Sequence, residues 1–181
     1  MEHVCLEMIQ PTLRAIGLGW QAGKVDIAQE HFASGYIRQQ LATLFEVSNA
    51  NAQGRVVVAA CAPDDWHELG ILMVTLFLAR RGWRVLYLGA SLPLDGLQQR
   101  LALLRPTAVV FSASTERAAT ALATITRRLT ELPPPRPLLG FGGSVFDLNP
   151  PLRDAVPGLY LGPDAATAVA QLDQALAAES P

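Results

Sequence analysis

The chain has 181 residues, a formal net charge of −2 and a hydrophobic share of 50%. That length suits one domain, or one domain with a short appendage, and the apolar share is enough for a sizeable core. The charge gives no electrostatic reason to expect direct DNA binding, and no apolar run approaches the ~20 residues of a membrane span.

The basic residues are 13 Arg and one Lys, with no cluster longer than Arg80-Arg81 or Arg127-Arg128. Cys5 and Cys61 form no metal-type spacing, and Cys61 ends an apolar run, which suits a buried free thiol. No signal-peptide pattern opens the sequence. A reduced, soluble, cytoplasmic protein is expected.

Residues 1–48 read as two helices. In the first, Pro11 should kink the helix or mark its true start. The second should begin near Val25, where Asp26-x-x-Gln29 resembles a capping box. Its apolar positions Ile27, Phe32, Tyr36, Ile37, Leu41 and Leu44 are expected on one broad stripe. Two helices bury little surface alone, so they should pack on the following domain, a cofactor or another subunit. The polar stretch from Ser48 to Gly54 is the expected boundary between this helical cap, 1–48, and an α/β domain, 54–181.

Strict alternation follows. Strands are expected at 55–61, 84–88, 108–111, 138–141 and 158–161, and helices at about 68–81, 94–104, 117–131, 149–155 and 165–178. Short apolar strands alternating with helices predict a five-stranded parallel sheet covered on both faces. The flavodoxin-like (Rossmann-like) order 2-1-3-4-5 is the expected arrangement.

Three post-strand loops carry unusual residues. They are Asp65-x-His67-x-x-Gly70 after the first strand, Ser112-Ala-Ser114-Thr115 after the third, and Gly142-Gly143-Ser144 after the fourth. In the expected order these strands are neighbours, so the loops converge on one crevice at the carboxyl ends of the strands. An imidazole with a carboxylate two residues before it suits a metal ligand and its hydrogen-bonded partner. Gly70 lets a bulky group approach the backbone.

This combination resembles the cobalamin-binding domain, over about residues 55–178. The resemblance implies that the cofactor's benzimidazole leaves the cobalt and His67 replaces it as lower axial ligand, the base-off/His-on mode. It further implies that Asp65 bonds the other ring nitrogen of His67. Ser112, Ser114 and Thr115 would line the path of the displaced nucleotide tail, which would lie against Gly142 and Gly143. In the helical segment, Trp20 followed after nine residues by Glu30-His31 is similar to the Trp-x9-Glu-His signature of CarH/LitR-type photoreceptor cobalamin domains. By that resemblance the three residues cap the upper face of the corrin. Those proteins carry a His after the Trp, and here that position is Gln21. Either His31 supplies a second nitrogen to cobalt, or water or hydroxide fills the site. They also carry an N-terminal DNA-binding helix-turn-helix, which this sequence lacks, so it looks more like the AerR-type antirepressors.

Plainer roles compete for each residue. Asp65 could be a helix N-cap, Ser112 and Thr115 caps of the third helix of the α/β part, and Gly142-Gly143 an ordinary turn. Trp20 could be packing core, with Glu30 and His31 in a solvated first turn. Trp66 fits beside a corrin edge or at a subunit contact, and Trp83 in the core or at its edge. No catalytic nucleophile or acid–base pair stands apart from the cofactor, so a non-enzyme is expected. The expected function is a light-responsive cobalamin-binding regulator acting through a repressor protein, either alone or as a homo-oligomer, with adenosyl-, methyl- or hydroxocobalamin. The alternative is a corrinoid carrier subunit of a methyltransferase system.

Overall fold

In the computed structural model, which describes residues 2–178, a helical segment precedes five strands that alternate with helices. Strands β1 (Val56–Cys61), β2 (Arg84–Tyr87), β3 (Ala108–Ser112), β4 (Leu138–Gly142) and β5 (Leu159–Tyr160) form one sheet. Its order is β2-β1-β3-β4-β5 and every pairing is parallel, as the alternation predicts. Met1 and residues 179–181, which the expected segments include, lie outside the described residues.

Both faces of the sheet are covered, which is why its strands read as continuous apolar runs. On one face Val57, Ala59 and Cys61 pack with α4 (Leu69–Arg80) and α8 (Ala165–Ala178). On the other, Val58 and Ala60 pack with α5 (Leu97–Leu104) and α6 (Glu116–Thr130). Helix α4 is apolar all round, and a helix of that kind needs cover on every side. The sheet covers one side of it and α3 (Ile27–Asn49) lies against the other.

At the N-terminus α1 (Glu2–Val4) passes through a π-helical segment, Cys5–Ile9, into α2 (Gln10–Gln21). Pro11 stands just after the π-helical segment in a backbone that is helical on both sides, so its missing N–H falls where the helix changes from π to α, the irregularity that a proline inside a helical run brings. Helix α3 starts with the expected capping box. The Asp26 carboxylate accepts the Gln29 N–H at 2.8 Å, and the Gln29 amide oxygen accepts the Asp26 N–H at 3.0 Å.

The single apolar stripe expected on α3 divides in two. Leu41 is fully buried and Ile37 and Leu44 pack beside it, whereas Ile27, Phe32 and Tyr36 are 61%, 78% and 59% exposed. At about 100° per residue, Phe32 and Tyr36 lie well round the helix from Leu41 and Leu44, and α4 reaches only one side. Helix α3 also runs into the stretch expected to be linker. There the Asn49 side chain bonds both the N–H and the C=O of Val85 at 2.9 Å, closing part of the free edge of β2.

Two further differences concern loops. After Gly96, in a left-handed conformation at φ 74°, α5 begins at Leu97 rather than at residue 94. After β4 the short helix α7 (Val145–Leu148), not expected from the sequence, precedes the 3-10 segment Pro150–Ala155. Among the described residues no helix is long and apolar enough to cross a membrane.

Candidate functional site

The carboxyl ends of β1, β3 and β4 lie side by side, with Cys61 in register with Ser112 and Ser112 with Gly142. The loops that leave them are bonded to each other. The Ala62 N–H donates to the Ser112 carbonyl at 2.8 Å, and the Ala113 N–H to the Gly142 carbonyl at 2.9 Å.

Asp65 is the hub of this arrangement. It is fully buried, and its carboxylate accepts three N–H groups or ring nitrogens. Oδ1 takes the His67 backbone N–H at 3.0 Å and lies 2.8 Å from His67 Nδ1. Oδ2 takes the Ser114 backbone N–H at 2.6 Å. A carboxylate only accepts, so Nδ1 carries the proton and Nε2 of a neutral His67 presents a lone pair. The His67 side chain is 69% exposed, so that lone pair sits on a rigidly aimed ring with room before it. Burial pushes the Asp65 carboxyl upward, but the hydrogen bonds and charge of His67 and the Ser114 N–H outweigh it and hold the pKa below its ordinary value. The His67 pKa is raised, first by the hydrogen bond to Asp65, against burial, and then by the charges of Asp65 and Glu30.

A second loop fastens the same segment from the other side. Asp64 has a left-handed backbone at φ 62°, its N–H donates to Ser91 Oγ at 3.1 Å, and the Ser91 N–H donates to the Asp65 carbonyl at 2.8 Å. Arg117 Nε donates to the Asp64 carboxylate at 3.0 Å. Behind the loop, burial and then the carboxylates of Asp65 and Glu68 push the Cys61 thiol up to about 12, which makes it an inert core group.

Gly143 explains how the third loop comes so close. Its φ is 116°, and a Cβ there would stand 2.1 Å from the Ala113 carbonyl oxygen and 2.7 Å from the Ala113 nitrogen. The glycine is therefore required by the crossing of two backbones, whatever lies above them. Gly142 has only an ordinary contact, with the Gly162 carbonyl oxygen at 3.5 Å, and beside Gly70 there is open space. Thr115 caps α6, its hydroxyl oxygen accepting the Ala118 N–H at 3.1 Å. Asp65 does not cap α4. The cap position belongs to Glu68, whose side chain makes no capping bond.

The residues expected on the upper face are less closely joined. Glu30 acts on the charge state of His67. His31 Nδ1 lies 2.6 Å from Glu30 Oε2, and the His31 side chain is 73% exposed. Trp20, at the end of α2, is half exposed. Trp66 is exposed beside His67, and Trp83 is buried under the Arg55 guanidinium.

Sequence reasoning missed two contributors. Ser91 comes from the loop after β2, to which no role was assigned; its Gly89-Ala-Ser91 run was the available signal. Glu68 turns away from His67 toward Tyr87, whose hydroxyl donates to Glu68 Oε2 at 2.6 Å. Burial and that carboxylate raise the pKa of the Tyr87 phenol.

The chemistry of the donor set fits a large flat metal complex approached from one side. It offers one neutral nitrogen on an exposed ring and open space over Gly70. Among the described residues no group of three or more His, Cys, Asp and Glu side chains could enclose a bare metal ion.

Comparison with known proteins agrees. Residues 55–171 match the family described as B12 binding domain, and residues 1–44 match a second family of the same description. The HTH-type transcriptional repressor CarA of Myxococcus xanthus is 34% identical over 125 residues, which are 69% of this chain and 42% of CarA. The chain thus spans less than half the length of that relative. An uncharacterized 20.5 kDa protein from the bchF-crtJ intergenic region of Rhodobacter capsulatus is 26% identical over 149 residues, 80% of this chain and 77% of that one. Among solved structures, the monomethylamine corrinoid protein of Methanosarcina barkeri has the same fold, with a TM-score of 0.72 over 90% of this chain and 78% of its own at 18% identity. With the match spanning the whole parallel sheet and the Asp65–His67 loop, this chain belongs to the B12-binding domain family.

Proposed function

We propose that this chain is a light-responsive cobalamin-binding regulator that acts through a protein partner, in the manner of an AerR-type antirepressor. The observation that carries the cofactor reading is the buried Asp65 holding His67 by Nδ1 while Nε2 stays exposed. This is how a protein orients an imidazole for a metal and sets its basicity. In this reading His67 is the lower axial ligand, in the base-off/His-on mode. Ser112, Ser114, Thr115, Gly142 and Gly143 border the nucleotide tail, and Gly70 borders the corrin.

The regulatory part draws support from the repressor CarA and from the Rhodobacter protein, which this chain matches over most of both lengths. It is supported too by Trp20, Glu30 and His31 on the helical segment. Residues 1–48 then act as the cap and 54–181 as the cofactor-binding body of a cytoplasmic, non-enzymatic protein. When bound, an alkylcobalamin supplies a cobalt–carbon bond that light can break. The chain's own part is to hold the lower face rigid through Asp65 and to place Trp20, Glu30 and His31 where loss of the upper ligand is felt. The changed surface of α2 and α3 is then what a repressor partner reads, as two states with different contacts require.

The test is the absorption spectrum of protein loaded with adenosyl- and methylcobalamin, in the dark and after illumination. Bound cofactor whose spectrum shifts with light, and shifts differently in Trp20→Ala, is expected; His67→Ala should lose at least about 100-fold in affinity. A bound methyl group that is stable to light but passes to an acceptor would replace this reading with that of a corrinoid carrier.

A further inference from the structure

Glu68 follows the proposed axial ligand directly, yet its side chain does nothing for His67 or for the start of α4. Its backbone carbonyl accepts the Leu72 N–H at 2.9 Å, as a helix start requires, while the carboxylate makes no cap bond. Instead the carboxylate joins three elements. Oε2 accepts the Tyr87 hydroxyl from the end of β2 at 2.6 Å, and Oε1 faces Arg38 Nε on α3 at 3.7 Å. Tyr87 also meets α3, its ring edge-on to Phe45 with centroids 6.5 Å apart. The loop that carries His67 is therefore fastened to the sheet edge and to the middle of α3 at a single carboxylate. Helix α3 is the element that carries Glu30 and His31 at its other end.

We infer that Glu68 is a positioning residue, and that the Arg38–Glu68–Tyr87 junction couples the placement of α3 to the seating of His67 on cobalt. The inference rests on the cobalamin reading above. A plain structural role for Glu68 would affect melting and leave axial ligation alone. The coupling differs in kind, because it makes ligation by His67 depend on contacts that never touch the cofactor.

The experiment uses the full chain, labelled with nitrogen-15, with unlabelled hydroxocobalamin as probe, and measures affinity, melting temperature and the axial-nitrogen signal of the protein, distinct in its splitting from that of the cofactor's own benzimidazole, in the electron paramagnetic resonance spectrum of the cobalt(II) form. Glu68→Ala and Tyr87→Phe should each weaken binding about tenfold and reduce the fraction showing an axial nitrogen. Glu68→Gln, which keeps an acceptor for the Tyr87 hydroxyl, should recover most of both. Tyr87→Phe removes a single hydroxyl, and so remains informative if Glu68→Ala does not fold. Wild-type affinity and an unchanged axial-nitrogen signal in Tyr87→Phe or in Glu68→Ala overturn the coupling. A wild-type protein that takes up no cobalamin, or whose uptake His67→Ala leaves untouched, overturns the cofactor reading itself and the coupling with it.

Discussion

The two sides of the candidate site are built in opposite ways. Below, the loops after β1, β3 and β4 are bonded to each other through backbone groups, and Asp65, at 0% exposure, fixes His67 from within the body. Above, α2 buries no residue at all, and Leu18, Trp20, Ile27 and Phe32 stand exposed around the α2–α3 turn. The helical segment is secured elsewhere, by Cys5 near its start and by Leu41 and Asn49 in the second half of α3. A free end with few buried contacts is cheap to move, while a loop tied to three strands is not. The molecule thus pairs a rigidly held His67 with a helical segment whose α2–α3 end is weakly held, the combination on which the proposed sensor reading draws.

The largest effect should come from attacking the rigid side. Gly143→Ala places a Cβ within 2.1 Å of the Ala113 carbonyl oxygen at a φ of 116°. Neither neighbour can give, since both are backbone. A loss of about 4 kcal/mol or more in denaturant unfolding is expected. A loss below about 1 kcal/mol would mean that the loops are less tightly crossed than their geometry indicates.

The next pair of substitutions contrasts the two sides of α3 itself. Leu41→Ala empties a fully buried site and should cost about 3 kcal/mol. Phe32→Ala removes a larger side chain that is 78% exposed, and should change stability by no more than about 0.5 kcal/mol. Equal losses in the two variants would show that the outer stripe is covered in solution, and sedimentation of wild type beside Phe32→Ala would then identify a second copy as the cover.

The two sides also differed in how far the sequence revealed them. Alternating apolar runs foretold the sheet and its order, because a strand covered on both faces has few ways to read. The spacing Asp65-x-His67 likewise carries its own geometry, since two residues on a tight loop can share one carboxylate. The stripe on α3 was harder. Periodicity shows which residues share a side of a helix, but not which side meets a neighbour, and Phe32 and Tyr36 went the other way from Leu41. Contacts across the chain were hidden altogether. Nothing near Glu68 announces Tyr87, 19 residues later, and the need for glycine at Gly143 comes from Ala113 on another loop.

A smaller effect tests the rigid side's chemistry. In Asp65→Asn one amide oxygen replaces two accepting oxygens, so either the His67 or the Ser114 backbone N–H loses its acceptor, and His67 loses the carboxylate that raises its pKa. Cobalamin affinity should fall about 10- to 100-fold. In wild type the folded His67 pKa lies above the ordinary 6.5, so its contribution to stability is full below that value and is lost as pH rises through the folded pKa. Asp65 is held below its ordinary 3.8, so its contribution is present above that value and is lost as pH falls through the folded pKa. The pair therefore stabilises the cofactor-free protein most between about pH 4 and 6.5. Ligation needs Nε2 unprotonated, so affinity should rise with pH through the folded His67 pKa. Asp65→Asn should shift that rise to lower pH, and a midpoint that stays put would show that Asp65 does not set the basicity of His67.

The smallest effect tests the loose side. Asp26→Ala removes the carboxylate that caps α3 and one half of the reciprocal pair with Gln29. Loss of such a cap costs about 1 kcal/mol. The cost falls on the first turn, which holds Glu30 and His31, while Leu41 anchors the helix more than two turns further on. Fraying should therefore stay local. Amide exchange should quicken over residues 27–31 and remain as in wild type around His67. If the first turn of α3 closes the upper face, the same variant should release bound cofactor faster, although it touches none of the residues that hold His67. Faster exchange without faster release would confine the working cap to Trp20 and the end of α2, and would narrow the moving part of the site to one helix.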